Sequence, residues 1–432
     1  MIEVFEAVAA VLREALPLEP QTFSLIDALG LMLAEDARAD ADSPPFDKSL
    51  VDGFAVRRAD CAHPLPVIEI VAAGQVPVAK VDRAAAIQIM TGAPLPIGAE
   101  AVVPVEHTSQ QVDADGRMLV SIPAHVATWK VGTNIVRRAA STKQGDLVVA
   151  TGSELRPQEL GALAEFGHSS VLARRRPRVA VLATGDELVP IEQIPGPGQI
   201  RNSNETMLVA QIRRANAEPV PLGIARDERP HLLERIVLGL QADVLVLSGG
   251  VSMGDKDLVP SELSAAGVRQ VFHKVNVKPG KPVWFGVLER RVGPASAPAH
   301  HQSISTNGGP ALRWSHPTSG LCLVFGLPGN PVSSMVCFEL FVRPALRRLM
   351  GVAPAESSAV TARLTAPHTT KGDRPTYQPA RLEWRSDGPI VTAVPWVGSS
   401  DLRATVAANS MALFPADDQT YEAGSPIEVI AW

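Results

Sequence analysis

Two glycine-containing loops hold the side chains best suited to chemistry in this chain. Residues 184–188 (TGDEL) follow the apolar run 178–184, and residues 248–257 (SGGVSMGDKD) follow the apolar run 243–248. Glycine lets backbone amides approach an anion closely, and a helix that begins after such a loop adds a favourable dipole. Neither loop has the spacing of an ATPase phosphate loop or a dinucleotide fingerprint, which disfavours both classes of enzyme. A tight strand-to-helix turn remains the alternative explanation for the paired glycines.

Four carboxylates fall in loops of the same kind, namely Asp186, Glu187, Asp227 and Asp257. Carboxylates beside an anion-binding loop suggest a divalent cation, since a hard cation bridges carboxylate and phosphate oxygens. Taken one at a time, each acid is equally well explained as a solvated surface charge.

Segment 273–282 (HKVNVKPGKP) supplies cations after the next predicted strand. If this segment is extended, Lys274 and Lys278 lie on one face, because the side chains of a strand alternate. Lysine amines suit a phosphate or another oxyanion. In residues 325–331 (FGLPGNP), Asn330 suits a helix N-cap and Pro331 the first helical turn. Capping alone explains that loop, or it adds its amides to the same pocket.

Strands and helices must alternate to position these loops. Strands are expected at 178–184, 219–224, 243–248, 269–276 and 321–327, and helices at 203–215, 229–240, 259–266 and 332–350. This alternation predicts a doubly wound, mostly parallel α/β sheet, in which ligands bind beyond the carboxyl ends of the strands. Ser203 or Asn204 is expected to cap the first of these helices. Residues 289–320, rich in Gly, Pro, Ser and His, are expected to form a surface insertion.

The rest of the chain predicts three further domains. Helical periodicity at 2–16, 24–38 and 157–166 contrasts with short strands through 57–140 and again after 351. The expected division is a discontinuous helical N-terminal domain (1–53 and 141–175), a β insertion domain (54–140), the α/β domain (176–351) and a C-terminal β domain (352–432).

The composition excludes several classes of protein. The 432 residues carry 40 Lys and Arg against 45 Asp and Glu, a formal net charge of −5, so broad nucleic-acid binding is not expected. No apolar run approaches the roughly 18 residues of a membrane span, and Glu3 and Glu6 stand where a signal peptide would be basic. The three scattered cysteines form no disulfide or zinc pattern, which favours a reducing cytoplasm.

Taken together, the motifs resemble the molybdopterin molybdenumtransferase family, the enzymes similar to the gephyrin E domain. The resemblance covers nearly the whole chain, the insertion at 289–320 excepted. The motifs, in the order expected of the family, are 43–55 (SPPFDKSLVDGFA), 90–106 (MTGAPLPIGAEAVVPVE), 184–188 (TGDEL), 202–204 (NSN), 249–257 (GGVSMGDKD), 278–282 (KPGKP), 327–333 (LPGNPVS), 398–401 (GSSD) and 408–409 (AN).

This resemblance implies an α/β molybdopterin-binding domain, a C-terminal β-barrel-like domain and an elongated homodimer. Each active site would lie between the α/β domain of one subunit and the N-terminal β region of the other. Adenylylated molybdopterin and molybdate would give molybdenum cofactor and AMP, with a divalent cation, usually Mg²⁺. A molybdopterin adenylyltransferase and recipient molybdoenzymes would be its partners.

By motif, the resemblance also assigns site residues. The catalytic positions are Asp52, Thr91, Glu187, Asp227 and Asp257, of which Glu187, Asp227 and Asp257 would hold the metal. The substrate-binding positions are Thr184, Gly185, Asn204, Ser248, Gly249, Gly250, Ser252, Gly254, Lys274, Lys278, Lys281, Pro328 and Asn330.

One departure from the family pattern concerns an acid. Ser141 stands where the family usually carries the aspartate of Gly-Glu-Asp, and Asp146 is nearby but out of register. A serine has no charge with which to hold a metal or accept a proton. Either the site works with fewer acids, or its activity is reduced, or the chain is a divergent paralogue that binds molybdopterin or acts as a scaffold. A molybdopterin adenylyltransferase is a third hypothesis, which the extra N- and C-terminal domains disfavour.

Overall fold

Two compact units make up the chain in a computed structural model, which describes residues 1–251, 258–290 and 320–432. The first unit comprises Met1–Phe23, Ala28–Ala34 and Leu172–Trp432, and the second comprises Ser24–Asp27 and Glu35–Val171. The four-domain division expected from the sequence is finer than this and stays a prediction. Most of the expected insertion at 289–320 lies outside the described residues.

The N-terminal part is built mainly from short strands. Its helices are α1 (Val4–Glu14) and α2 (Pro157–Glu165). Its strands are β1 (Pro20–Ser24), β2 (Met32–Leu33), β3 (Ala37–Arg38), β4 (Lys48–Ser49), β5 (Gly53–Val56), β6 (Leu65–Val71), β7 (Ala86–Ile89), β8 (Ala101–Pro104), β9 (Ser109–Val112), β10 (Met118–Ser121), β11 (Ile135–Val136), β12 (Leu147–Val149) and β13 (Ser170–Arg174).

Helix was expected for residues 24–38, and that prediction is wrong. A turn follows β1, and the chain then continues as β2 and β3. In β2, Leu33 pairs with Ala173 of β13, and Gly30 just before it has a positive φ of 75°. The Ala- and Leu-rich composition favours a helix locally, but pairing with a distant strand overrides it.

The β insertion has its own sheet and core. Six strands run in the order β8-β5-β7-β6-β10-β9, and Phe54, Leu65 and Val120 are buried between the sheet and its connections. Residues 57–140 contain short 3₁₀ turns and no α-helix, as the sequence predicts.

The α/β region contains the sheet expected from the alternating pattern. The strands of this region are β14 (Arg178–Thr184), β15 (Leu188–Val189), β16 (Ile200–Arg201), β17 (Glu218–Ala225), β18 (Val244–Ser248), β19 (Arg269–His273), β20 (Trp284–Glu289) and β21 (Leu321–Leu327). Of these, β15 and β16 form a separate two-stranded sheet. The helices of the region are α3 (Ser203–Arg214), α4 (Arg229–Gly239), α5 (Val259–Ala265), α6 (Pro331–Cys337) and α7 (Arg343–Leu349), with a π-helical turn at Phe338–Val342.

Alternation along each strand divides the core between the two faces of this sheet. The order is β17-β14-β18-β21-β20-β19, parallel in the first four strands and antiparallel in the last two. Val179 and Val181 of β14 pack with the cluster that includes Ile212 of α3, whereas Ala180 and Leu182 pack on the opposite side. The doubly wound, mostly parallel sheet is thus confirmed.

Strands resume after α7, as the sequence predicts. They are β22 (Ala359–Leu364), β23 (His368–Thr369), β24 (Thr376–Arg385), β25 (Gly388–Ala393), β26 (Ser410–Phe414), β27 (Thr420–Tyr421) and β28 (Pro426–Ala431). Five of them close a barrel in the order β22-β25-β24-β26-β28, around Phe414 and Val391. No helix in the described part of the chain is long and apolar enough to cross a membrane.

Candidate functional site

The reversal of strand order in the α/β sheet places a cleft where a ligand is expected. From β14 the chain goes to one neighbour, β17, and then to the other side, β18. Thr184 ends β14, Ser248 ends β18 and Leu327 ends β21, and these three strands are parallel neighbours. Ligands of open α/β sheets bind at such a reversal, beyond the carboxyl ends.

A cleft of about 720 Å³ opens at this edge of the sheet. Many of the residues predicted from the sequence line it together, namely Thr184, Gly185, Glu187, Asn204, Asp227, Ser248, Gly249, Gly250, Pro328 and Asn330. Three further predicted positions, Ser252, Gly254 and Asp257, lie outside the described residues.

The paired glycines are required by close packing of adjacent loops. Gly249 and Gly250 have positive φ angles of 97° and 65°. A Cβ atom on Gly249 would lie 2.6 Å from the carbonyl oxygen of Thr184, and one on Gly250 would lie 2.8 Å from the Thr184 hydroxyl. Any larger residue would therefore push the two loops apart.

Much of the backbone at these loops is used to hold the loops together. The Gly249 amide donates to the Leu327 carbonyl at 3.1 Å, and the Gly185 amide donates to the Ala225 carbonyl at 3.3 Å. These two amides are therefore engaged within the protein, and the anion-binding role expected of the loop amides does not extend to them.

Asn204, in the first turn of α3, ties two of the strand ends together. Its Nδ2 donates to Ser248 Oγ at 2.8 Å and to the Gly329 carbonyl at 2.7 Å. The helix cap is Asn202, whose side chain accepts from the Glu205 amide, so the expectation of a cap at Ser203 or Asn204 is wrong by one or two residues. This shift leaves the Asn204 side chain available to the cleft.

Two buried oxygen atoms at the cleft have no hydrogen-bond partner among the described residues. They are Thr184 Oγ1 and Asn204 Oδ1. Thr184 is 3% exposed, and burying a hydroxyl without a partner costs about 1–3 kcal/mol. Both atoms belong to residues that line the cleft, so a ligand there could supply the missing hydrogen bonds.

The acids come together from two loops. The backbone amide of Asp227 donates to Asp186 Oδ1 at 3.2 Å, and the Arg226 guanidinium donates to the Asp186 carbonyl at 3.0 Å. Glu187 and Asp227 both line the cleft. A Cβ atom on Gly185 would lie 2.4 Å from Glu187 Oε2, so the absence of a side chain there makes room for this carboxylate.

No group of three or more His, Cys, Asp or Glu side chains able to hold a metal ion occurs within residues 1–251, 258–290 and 320–432. Within these ranges, the acids that line the cleft are Glu187 and Asp227. A pair of carboxylates suits Mg²⁺, which usually takes one or two of them together with water and substrate phosphates.

The lysines are arranged differently from the sequence expectation. Lys274 has a positive φ of 72°, so the segment is not extended and the period-two argument for Lys274 and Lys278 fails. Lys278 lines a second cleft of about 730 Å³ together with Lys371, His368 and Trp396 of the C-terminal part. Lys274 and Lys281 do not line either of these two clefts.

Asn330 occupies the N-cap position of α6, and Pro331 its first turn, as expected. The Asn330 side chain makes no capping bond, however, and its Nδ2 donates to Ser399 Oγ at 2.9 Å instead. The Val332 amide donates to the Ser399 carbonyl at 3.0 Å. This loop thus connects the α/β sheet to the segment before the barrel strand β26.

Asp52 and Thr91 belong to the second compact unit and form a pair there. Asp52 Oδ1 accepts from the Thr91 amide at 2.6 Å and from its hydroxyl at 2.8 Å. These bonds, the amide bond first, hold the pKa of the exposed Asp52 carboxyl below its ordinary value. Asp52 therefore stays ionised over a wide range of pH.

Ser141 also lies in the second unit and is exposed. Its amide donates to the Ser43 carbonyl at 3.0 Å. Asp146 does not take the place of the missing acid, because its Oδ2 accepts from the Lys143 amide at 2.9 Å in a local turn.

Several cleft residues were not predicted from the sequence. Leu188, Ile200 and Arg201 come from β15 and β16, and Ser400 and Leu402 come from the segment after Gly398. The strands β15 and β16 have two residues each, too short for a periodic signal. The available signals were three sequence motifs: 184–188 contains Leu188, 398–401 contains Ser400, and 202–204 directly follows Arg201.

Comparison with known proteins covers the whole chain. Family models match residues 2–167 (MoeA N-terminal region, domain I and II), 180–348 (probable molybdopterin binding domain) and 361–432 (MoeA C-terminal region, domain IV). The chain is 31% identical over 437 residues to a molybdopterin molybdenumtransferase of Bacillus subtilis, across 99% of this chain and 94% of that protein. A protein of Staphylococcus aureus with the same name is 29% identical over 99% of this chain and 95% of its own length.

Solved structures agree with these matches. A molybdopterin biosynthesis MoeA protein from Pyrococcus horikoshii superposes with a TM-score of 0.78 at 28% identity, covering 100% of this chain and 99% of that chain. A second structure of a MoeA protein from that organism gives a TM-score of 0.74 at 25% identity, with 100% of both chains covered.

Proposed function

Because the chain belongs to the MoeA family of molybdopterin molybdenumtransferases, and hence to molybdenum cofactor biosynthesis, we propose that it inserts molybdenum from molybdate into adenylylated molybdopterin and releases AMP. The observation that carries this proposal is the cleft at the strand-order reversal. Its buried Thr184 and Asn204 oxygens lack partners within the described chain, and two acids stand at the same edge.

The residues of the two clefts would have different roles in binding. Thr184 Oγ1 and Asn204 Oδ1 would hydrogen-bond the substrate, and in doing so they would recover the cost of their burial. Asn204 Nδ2 donates to Ser248 Oγ and to the Gly329 carbonyl, and these bonds hold the two loops in place beside the bound substrate. Lys278 in the second cleft would bind molybdate or phosphate oxygens as a positive charge.

Glu187 and Asp227 fit a bound Mg²⁺ ion, with Asp257 as the third acid of the family motif. When bound, this ion would polarise a phosphoryl oxygen and offset charge on the departing AMP. The role of the protein is to hold the two carboxylates at one edge of the cleft. Gly185 leaves the space that the Glu187 carboxylate occupies.

The same proposal includes a homodimer. Asp52 and Thr91 lie in a compact unit separate from the cleft, and their exposed pair would complete the site of a second subunit. A molybdopterin adenylyltransferase would supply the substrate, and molybdoenzymes would receive the product. The three free, buried cysteines are consistent with a reducing cytoplasm.

The decisive experiment incubates the purified protein with adenylylated molybdopterin, molybdate and Mg²⁺ and measures AMP release and active cofactor. We expect both products, with each dependent on molybdate. Tight binding of the substrate without AMP release would instead establish the alternative, a divergent paralogue that binds molybdopterin or serves as a scaffold.

The Ser141→Asp variant tests the departure that favours this alternative. We expect it to raise kcat, because a carboxylate at this exposed position can bind a cation or accept a proton and a hydroxyl cannot. Ser109→Asp, on the exposed strand β9, adds the same charge elsewhere in the same unit and serves as the control. If kcat is the same in Ser141→Asp, Ser109→Asp and wild type, the missing acid does not limit turnover.

A further inference from the structure

Arg201 is the one Lys or Arg among the described residues that line the main cleft, which Glu187 and Asp227 also line. A substrate joined by a pyrophosphate brings negative charge into this cleft. The lysines of segment 274–281 do not line it. Among the described residues of the α/β part, neutralisation of that charge therefore depends on Arg201 and on any cation held by the acids.

The backbone of Arg201 is fixed by a short parallel ladder. In β15 and β16, Leu188 pairs with Ile200 and Val189 pairs with Arg201. The Ile200 amide donates to the Glu187 carbonyl at 2.8 Å, and the Asn202 amide donates to the Val189 carbonyl at 2.9 Å. Arg201 is thus anchored directly to the loop that carries Glu187.

The guanidinium of Arg201 is oriented by one hydrogen bond, and its other donors remain available in the described structure. Its Nε donates to the Gln193 carbonyl at 3.1 Å. Among the described residues, no acceptor takes a hydrogen from its two terminal nitrogens, and the side chain is in no ion pair. Arginine in this state presents a planar fork that matches two oxygens of a phosphate.

Neighbouring groups point to the same ligand chemistry. Arg201 directly precedes Asn202, the cap of the 12-residue helix α3, whose first turn lines the cleft with Ser203 and Asn204. The N-terminus of a helix favours anions. Independently, the Thr184 hydroxyl, 3% exposed, stands in the same cleft without a partner in the described chain.

We propose that Arg201 binds phosphate oxygens of the adenylylated substrate in this cleft. The assignment rests on the proposed function for the identity of the substrate, and on the geometry of the cleft for the binding of phosphate. The ligand chemistry is that of a phosphate diester or pyrophosphate attached to a nucleoside.

Three variants test it in the full-length protein. We expect Arg201→Ala to raise KM for adenylylated molybdopterin about tenfold or more, because hydrogen bonds to charged groups are the strong ones, with kcat changed little. Arg201→Lys keeps the positive charge but loses the planar guanidinium, so its KM is expected to lie between those of wild type and Arg201→Ala. Arg213→Ala removes an exposed arginine from the far end of the same helix and should leave KM unchanged.

Direct binding separates this proposal from the proposed function. AMP, inorganic pyrophosphate and adenosine are titrated into wild type and Arg201→Ala by calorimetry at low and high salt. We expect AMP and pyrophosphate to bind more weakly to the variant and with a smaller salt dependence, and adenosine to bind both proteins alike. Wild type that binds AMP in this way without turnover would overturn the proposed function alone. Equal affinities for AMP and pyrophosphate in both proteins would overturn the role of Arg201.

Discussion

At the scale of single residues, the first turn of α3 joins local folding to the cleft. Asn202 and Glu205 form two reciprocal hydrogen bonds. Asn202 Oδ1 accepts from the Glu205 amide at 3.3 Å, and Glu205 Oε2 accepts from Asn202 Nδ2 at 2.9 Å. This reciprocal pair fixes the start of the helix on which Asn204 reaches across the strand ends. Burial raises the pKa of the Glu205 carboxyl, and the Asn202 bond offsets part of that effect.

Glu205→Gln should therefore change stability in a pH-dependent way. A carboxyl whose pKa is raised by folding stabilises the protein below its unfolded pKa, and this stabilisation is lost as pH rises through the folded value. The glutamine variant keeps an acceptor without the charge, so we expect its stability relative to wild type to increase from acidic to neutral pH. Urea unfolding across that range measures it, with exposed Glu422→Gln as the control. A constant difference would contradict the prediction.

At the scale of elements, the segment before β26 forms a wall shared by the two clefts. Ser400 and Leu402 line the main cleft, whereas Val397 and Gly398 line the second. Asp401 spans this segment, because its Oδ2 accepts from the Val397 amide at 3.1 Å and its Oδ1 accepts from the Ala404 amide at 3.2 Å. The second bond caps the 3₁₀ helix Leu402–Ala407.

Asp401→Ala should loosen this wall without unfolding the barrel. Loss of a capping side chain costs about 1 kcal/mol, and both amides lose their acceptor. We expect faster hydrogen exchange in residues 397–404, measured by mass spectrometry, while the barrel strands stay protected. We also expect a higher KM for adenylylated molybdopterin, because Ser400 and Leu402 line the main cleft. Asp387→Ala removes an exposed carboxylate from the barrel that pairs with Arg363, and it should leave residues 397–404 unchanged. Unaltered exchange at Val397 and Ala404 in Asp401→Ala would refute this role.

At the scale of the whole molecule, each compact unit has hydrophobic cores of its own. Phe54 is buried in the second unit among Val56, Leu65 and Val103. Phe325 is buried in the first unit and lies 4.8 Å, centroid to centroid, from Phe285. Separate cores predict separate cooperative transitions, as is usual for chains of several domains.

Calorimetry of Phe54→Ala and Phe325→Ala tests this independence. Each substitution removes a buried phenyl ring and should cost about 3–5 kcal/mol in its own unit. We expect two transitions in wild type, with each variant lowering the Tm of one of them and leaving the other in place. A single transition lowered by both variants would show that the units unfold together.

The sequence was sufficient for most of the α/β domain and for much of the cleft. Strands β14, β17, β18 and β21 are within two residues of their predicted bounds. The apolar runs of β14 and β18 are uninterrupted, and glycine directly follows both of these strands. The residues at the ends of these strands were predicted correctly to lie together, since the carboxyl ends of parallel strands share one edge.

The failures have a common physical origin in long-range pairing and in backbone conformations that composition does not reveal. Residues 24–38 were expected to be helical, yet β2 pairs with β13, which is distant in sequence. Lys274 adopts a positive φ, which breaks the alternation that would have placed it with Lys278.

By itself, then, the sequence determined the four parallel strands of the α/β sheet, the helices between them and the loops at their ends, because periodicity and glycine placement act locally. Only the tertiary structure decided which of the remaining side chains enter the cleft and which predicted ones do not. Arg201 enters it through a two-residue ladder with β15, and Lys278 faces a second cleft instead. Such assignments depend on hydrogen bonds and backbone conformations in short segments without periodicity, which a local sequence pattern does not reveal.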